Sequence, residues 1–197
     1  MPVTAASFPE YPSRPAAQYP NKAVTQGLTV AVVPLDDAKE QQRYFNLRFQ
    51  SKGFRPVFLV MDNDSSTDSF ILRVDRINFA DPNAQGKPAV GALPVARSKS
   101  RAIATNLGAT AAGFFVPGAG LVSAFATSHS ADVQQNLLHK ALRTMTLAPG
   151  KSSRGFVYVP VVNVPMDKSL PSGKTLRMTI PILRAGTDEV VNLDVTF

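Results

Sequence analysis

The two histidines of the chain, together with one nearby carboxylate, are its clearest candidates for metal or acid-base chemistry. His129 and Asp132 lie three positions apart in a stretch that predicts a helix, so their side chains could face each other. His139 lies about 80° away from His129 around the same helix. Because this ligand set lacks the spacing of zinc sites, the sequence predicts no metal-binding residue.

Two glycine-containing stretches resemble phosphate-binding loops only in part. The segment PGKSS contains the Gly-Lys-Ser of such a loop, but Met145 stands where the motif requires its first glycine. The Gly-Ala-Gly at 118–120 lacks both the third glycine of a dinucleotide-binding loop and a preceding strand. The chain also contains no cysteine, which excludes thiolate catalysis. We therefore expect no catalytic residues, no cofactor and no enzymatic activity.

The composition predicts one folded unit with a basic surface. A chain of 197 residues that is 44% hydrophobic can bury one good core. Its formal net charge of +7 favours anionic lipid or acidic protein partners. Scattered Lys and Arg are typical of a solvated surface, so we expect no nucleic-acid binding. The tight basic cluster consists of Arg97, Lys99 and Arg101.

Alternating and β-branched runs predict strands on both sides of a helical region. GLTVAVVPL predicts a strand, and DDAKEQQRYF predicts a short helix with Asp36 or Asp37 as its N-cap. RPVFLVMDND and SFILRVDRINF, separated by turn formers, predict an antiparallel hairpin whose second strand buries Phe70, Leu72 and Val74. Further strands are predicted in RTMTLAPG, GFVYVPVVNV, EVVNLDVTF and TLRMTIPILR, the last with alternating Leu176, Met178, Ile180 and Ile182.

The order of strands, helices and strands predicts a mainly β fold with a helical insertion, in the α+β class. Short strands with turn punctuation favour an immunoglobulin-like β-sandwich that carries an inserted helical hairpin. Residues 1–24 are rich in Pro, Ala and Ser and predict an N-terminal arm or tether. Residues 25–197 then form the sandwich domain, with the hairpin at about 95–147.

The segment 104–130 contains no formal charge and is interrupted by Pro117-Gly118. Polar residues and this break argue against a single membrane span, whereas small residues every fourth position favour two close-packed helices. We expect the hairpin tip to be buried in the domain, in a partner or in a bilayer. We also expect residues 97–142 to be removable without unfolding the sandwich. The predicted apolar tip comprises Phe114, Phe115, Val116, Leu121, Val122 and Phe125.

Two stretches resemble the immunoglobulin-like modules of uncharacterised bacterial cell-envelope and lipoprotein families. In RPVFLVMDNDSSTDSFILRVDRINF a strand that ends in Asn63 opens a hairpin, and in LAPGKSSRGFVYVPV the Pro149-Gly150 turn precedes the strand with Gly155-Phe156. The resemblance implies a non-enzymatic envelope protein, periplasmic or lipid-anchored. The first twenty residues lack the features of a signal peptide, so export would require a leader that precedes them. A cytoplasmic location is the alternative.

These observations together predict an interaction or scaffold module. We expect the hairpin and the basic cluster to dock the domain onto a protein partner or an anionic membrane surface. The alternative is a membrane-active protein whose uncharged hairpin inserts and oligomerises.

Overall fold

A computed structural model describes residues 8–49, 54–80, 90–91, 131–160, 176–187 and 189–197. Two α-helices lie in these ranges, α1 (Ala38–Phe45) and α2 (Ala131–Lys140). The strands, in chain order, are β1 (Lys22–Thr25), β2 (Leu28–Pro34), β3 (Phe54–Asn63), β4 (Phe70–Leu72), β5 (Asn78–Ala80), β6 (Val90–Gly91), β7 (Met145–Leu147), β8 (Ser152–Pro160), β9 (Arg177–Arg184) and β10 (Val190–Thr196).

The strands form two antiparallel sheets, so the predicted mainly β, α+β class is confirmed. Sheet A has the order β1-β2-β3-β8. Sheet B is built around β9, which pairs with β10 along one edge and with β4 and β5, end to end, along the other. β7 extends sheet B beyond β4, and β6 extends it beyond β5.

Sheet A is buried on both faces at β3. This burial explains why the sequence of β3 is an apolar run and not an alternation. Val57, Leu59 and Met61 face sheet B in one hydrophobic cluster, which we call the inner cluster. Phe58 and Val60, on the opposite face of β3, join a second cluster on the outer face of sheet A, the outer cluster. A strand buried on both faces needs apolar residues at every position.

Sheet B is buried on one face, and its strands alternate as the sequence predicts. Met178, Ile180 and Ile182 of β9 point into the inner cluster, while the residues between them are half-buried. Phe70, Leu72 and Val74 are buried in the same cluster, again as predicted from the period of two.

The predicted hairpin of β3 and β4 is wrong, because the two strands lie in different sheets. Strand β3 pairs with β2 along one edge and with β8 along the other, whereas β4 pairs with β7 and β9. Asn63 stabilises the connection that crosses from β3 in sheet A to β4 in sheet B. Its buried side-chain amide donates to the carbonyl oxygens of Asp68 and Leu147, at 2.8 and 3.1 Å. The turn residues therefore connect two sheets rather than two paired strands.

Helix α1 begins and ends with recognisable caps. The Asp37 carboxylate accepts the backbone N–H groups of Lys39 and Glu40, at 2.7 and 2.9 Å, which lowers the pKa of Asp37. Asn46 ends the helix in the left-handed conformation, at φ 53°. Of the two predicted N-caps, Asp37 is therefore the cap, and Asp36 instead pairs with Arg55.

The last part of the predicted hairpin is part of the core. Within α2, Val133 and Leu137 are buried in the outer cluster, and the following Leu142 belongs to the inner cluster. Residues 145–147 form β7 in sheet B, which confirms the strand predicted in RTMTLAPG. The expectation that residues 97–142 are removable therefore fails for residues 131–142, since their loss would expose both clusters.

Helix α2 ends against the outer edge of β8, where Gly155 permits a close approach. The N–H of Leu142 donates to the carbonyl oxygen of Phe156 at 2.8 Å. A Cβ at position 155 would stand 2.8 Å from the backbone N and Cα of Leu142. This contact requires glycine because neither backbone segment can move aside independently.

Candidate functional site

The N-terminal residues 8–21, which we call the arm, lie across the outer face of sheet A. Ala16 is fully buried, and its N–H donates to Asp62 Oδ2 of β3 at 2.5 Å. The Tyr11 ring contacts Phe58 and Phe156 edge-on, with centroids 4.8 and 5.2 Å apart. The arm is thereby held by single anchoring residues and not by a strand ladder.

Lys140 at the end of α2 joins the arm to both helices. Its ammonium group donates to the carbonyl oxygens of Pro9 and Tyr44, each at 2.7 Å, and lies 5.3 Å from the centre of the Phe45 ring. Burial lowers the pKa of Lys140. Because two carbonyl groups hold the ammonium in place, its role in the described structure is to position the arm.

A small pocket beside Lys140 gathers further titratable side chains. His139 Nε2 lies 3.3 Å from Glu10 Oε1, and both side chains are exposed. Burial raises the pKa of Tyr11 to about 12, with a smaller contribution from the negative charge of Glu40. The pocket encloses only about 100 Å³. The Tyr11 hydroxyl stays protonated at neutral pH, and the described residues that line the pocket include no serine or threonine as a nucleophile.

A larger cavity, which we call the arm groove, lies between the arm and β8. Its volume is about 560 Å³. A guanidinium N–H of Arg154 donates to Ser13 Oγ, and the Arg14 guanidinium lies 4.5 Å from the centre of the Tyr19 ring. The groove is lined by Ser13, Arg14, Pro15, Val60, Ser152, Ser153 and Arg154, with no acidic residue among them.

Arginines on the sheet B side of the molecule are paired with carboxylates. Arg184 Nη2 lies 2.8 Å from Asp68 Oδ1, and its Nη1 lies 3.6 Å from Glu189 Oε2. The other pairs are Arg73 with Asp75, Arg76 with Asp75, and Arg177 with Asp194. These charges are largely neutralised where they stand.

On the outer side of sheet A, several cations have no carboxylate within 4.0 Å among the described residues. They include Arg14 of the arm, Lys22 of β1, Arg43 of α1 and Arg154 of β8. The buried Arg55 of β3 is different, because Asp36 holds its guanidinium in two hydrogen bonds of 2.5 and 2.6 Å. The cations of the arm and of β8 therefore keep their positive charge without a carboxylate partner among the described residues.

The residues that the sequence singles out lie mostly outside the described ranges. This holds for the predicted tip residues Phe114, Phe115, Val116, Leu121, Val122 and Phe125, for the basic cluster Arg97, Lys99 and Arg101, and for His129. Asp132 and His139 are described, and both are exposed on α2. Within the described part of the chain, no three potential metal-ligating side chains come together.

The arm groove is the feature that sequence reasoning missed. Alternation in SSRGFVYV places Ser152 and Arg154 on the same face of β8 as Phe156 and Tyr158, with apolar residues on the opposite face as well. That pattern is the available signal that a further layer covers sheet A. Arg14 carries no comparable signal, because the arm has no regular period.

Comparison with protein-family models, with curated protein sequences and with solved structures finds no match for this chain. Neither helix in the described ranges is both long and apolar enough to span a bilayer.

Proposed function

We propose that this chain is a non-enzymatic interaction module of the cell envelope, which docks onto an acidic protein partner or an anionic membrane surface. The observation that carries the proposal is the distribution of charge. Arg14, Lys22, Arg43 and Arg154 are unpaired in the described structure and share the outer side of sheet A. Unpaired cations attract an anionic surface because no internal carboxylate offsets their field.

We further propose that the body is an immunoglobulin-like sandwich, and the strand order supports this. In that fold, strands A, B and E lie in one sheet and strands C, F and G in the other. Here β2, β3 and β8 are neighbours in sheet A, and β4, β9 and β10 are neighbours in sheet B. The crossing from β3 to β4 then corresponds to the connection from strand B to strand C.

The predicted hairpin fits the same docking side. Helix α2, which lies within the range of the predicted hairpin, packs on the outer face of sheet A through Val133 and Leu137. We propose that the hairpin tip and the basic cluster at Arg97, Lys99 and Arg101 act together with the arm-side cations. The domain would thus meet its partner with sheet A and leave sheet B toward solvent.

The described titratable groups support a non-enzymatic role. The Lys140 ammonium is held by two carbonyl groups, and the buried Tyr158 hydroxyl donates to the Leu137 carbonyl oxygen at 3.1 Å. Catalytic acids and bases need access to a substrate as well as a shifted pKa. These two groups have shifted pKa values but serve to join α2 to its neighbours.

Co-sedimentation with vesicles tests the proposed function. We expect wild-type protein to bind phosphatidylglycerol-containing vesicles or polyglutamate at low salt, to lose binding as salt rises, and to ignore neutral phosphatidylcholine vesicles. Failure to bind either anionic probe at low salt contradicts the proposal.

A hairpin variant separates docking from membrane insertion. If the domain docks on the surface, salt-sensitive binding persists in Phe114→Asp. Salt-resistant binding that Phe114→Asp abolishes would instead support the membrane-active alternative. Phe114→Leu, which keeps an apolar side chain at the same position, is the matched control.

A further inference from the structure

We infer that the arm groove is a binding site for a phosphate monoester group, held between Arg14 and Arg154. This inference rests on the proposed function and names the chemical class of anion that the arm side selects. Arg14 and Arg154 both line one cavity, and the described lining contains no carboxylate. The two groups are therefore available to a single external anion.

The charge of the groove matches this class of ligand. A phosphate monoester carries a charge of about −1.5 to −2 at pH 7, together with three strong acceptor oxygens. Two guanidinium groups supply two positive charges, whereas a single carboxylate would leave one of them unbalanced. Asp62, which lies opposite Ser152 in the β3–β8 ladder, accepts the backbone N–H of Ala16 through Oδ2 and is not among the residues that line the groove.

Both arginines are oriented before any ligand arrives. Arg154 donates to Ser13 Oγ, and the Arg14 guanidinium lies over the Tyr19 ring, whose hydroxyl accepts the backbone N–H of Arg14 at 3.2 Å. A planar guanidinium fork binds phosphate oxygens in pairs, and orientation in advance lowers the entropy lost on binding. The other side-chain donors that line the groove are the hydroxyl groups of Ser13, Ser152 and Ser153.

The size and position of the groove suit the head of a larger molecule. Its volume of about 560 Å³ exceeds that of a phosphate group and lies within the usual range for small-ligand sites. Arg14, Ser152 and Arg154 are exposed, so the remainder of a ligand can extend into solvent or into a membrane. The same chemistry could therefore come from a free phosphate monoester or from a lipid headgroup.

Titration with inorganic phosphate tests the site directly. All four tyrosines lie in or against the outer cluster and the chain has no tryptophan, so intrinsic fluorescence reports on this side of the molecule alone. We expect a saturable fluorescence change in the full-length protein, confirmed by calorimetry. Arg154→Gln and Arg14→Gln should each weaken phosphate binding about tenfold or more, since each removes charged hydrogen bonds. Arg154→Lys should lie between wild type and Arg154→Gln.

Matched variants keep the result interpretable. Arg76→Gln, which removes the same charge from the sheet B side, should leave the affinity for phosphate unchanged. Ser152→Asp places a carboxylate in the groove at an exposed position and should abolish binding while the thermal melt stays cooperative. Saturable phosphate binding that is insensitive to Arg14, Ser152 and Arg154 would overturn the inference, as would no binding at all.

Vesicles distinguish the two sources of the phosphate. Stronger binding to phosphatidic acid than to phosphatidylglycerol at equal surface charge identifies a lipid headgroup, and inorganic phosphate should compete. Equal binding to both lipids, with inorganic phosphate still bound in the groove, identifies a free monoester. Salt-sensitive vesicle binding without any phosphate binding overturns the groove but leaves the proposed docking function standing.

Discussion

The two outer faces of this molecule use their charges in opposite ways. On the sheet B side, Arg73, Arg177 and Arg184 each pair with a carboxylate, and no helix of the described residues covers the sheet. On the sheet A side, the arm and both helices cover the sheet, while Arg14 and Arg154 have no acidic partner in the described structure.

This contrast separates the interactions that stabilise the fold from the surface charges that do not. The fold is stabilised by burial, and exposed ion pairs contribute little to the free energy of unfolding. Pairing on sheet B therefore serves to neutralise its surface. Arg14 and Arg154 contact Tyr19 and Ser13 of the arm, but no described carboxylate offsets their charge, so we attribute that charge to binding.

The largest expected effect is a difference in the free energy of unfolding between variants on the two outer faces. Phe45→Ala empties a fully buried position of the outer cluster and should lower the free energy of unfolding by about 3–5 kcal/mol. Leu183→Ala, on the half-buried outer face of sheet B, should cost about 1 kcal/mol or less. Urea unfolding of both variants checks this. Equal losses would mean that the outer layer of sheet A is not part of the core.

The next effect concerns the edges of the two sheets. Gly155→Ala pushes a methyl group against the Leu142 backbone and should cost about 1–3 kcal/mol. Asn192→Ala on β10, an exposed position at the edge of sheet B, should change stability by less than about 0.5 kcal/mol. Thermal melts of the two variants measure the difference. A Gly155→Ala protein as stable as wild type would show that α2 does not approach β8 as described.

A smaller effect is expected in alkaline solution, and only on the arm side. The pKa of Tyr11 is raised from 10.0 to about 12, so the unfolded chain loses this proton first. The stabilisation is complete below pH 10 and is lost as the pH rises through 12. Tyr11→Phe should flatten this alkaline decline in stability. Tyr19→Phe serves as the comparison, and an unchanged alkaline limb in Tyr11→Phe would contradict the burial of Tyr11.

The smallest effect is expected in acid, on the sheet B side. Hydrogen bonds from Arg177 and then Thr179 lower the pKa of Asp194 below 3.8. The folded state therefore gains stability above that pH and loses it as the pH falls through the lowered pKa. Asp194→Asn should remove a minor part of the acid decline measured by chemical unfolding. A large change would mean that this exposed pair stabilises the fold, contrary to a fold held together mainly by burial.

Local patterns in the sequence predict the strands and the first helix, but not their arrangement. The alternation of Met178, Ile180 and Ile182 identifies the inner face of β9, and Asp37 identifies the start of α1. The residues Asp62 and Asp64 favour a turn, yet a turn within a hairpin and a crossing between sheets have the same local chemistry. The pairing of β3 with β2 and β8 decides between a hairpin and a crossing, because it leaves no free edge of β3 for β4.

The candidate site was beyond sequence reasoning for a related physical reason. Tyr11, Ala16 and Tyr19 anchor the arm through separate contacts, which leave no period to recognise. The pairing of charges is also a long-range property: Arg184 meets Asp68, and Arg154 meets Ser13, only after the chain has folded. Net charge predicts an anionic partner, but it does not predict which face remains unpaired.

The most direct measurement compares two double variants with equal charge. Arg14→Gln/Arg154→Gln and Arg73→Gln/Arg177→Gln each remove two positive charges, which lowers the formal net charge from +7 to +5. Binding to phosphatidic acid vesicles is then measured across a salt series. We predict that the arm-side variant loses most of its affinity and its salt dependence, whereas the sheet B variant binds like wild type. Equal losses in the two variants would show that net charge alone drives binding, and would contradict a docking function for the outer side of sheet A.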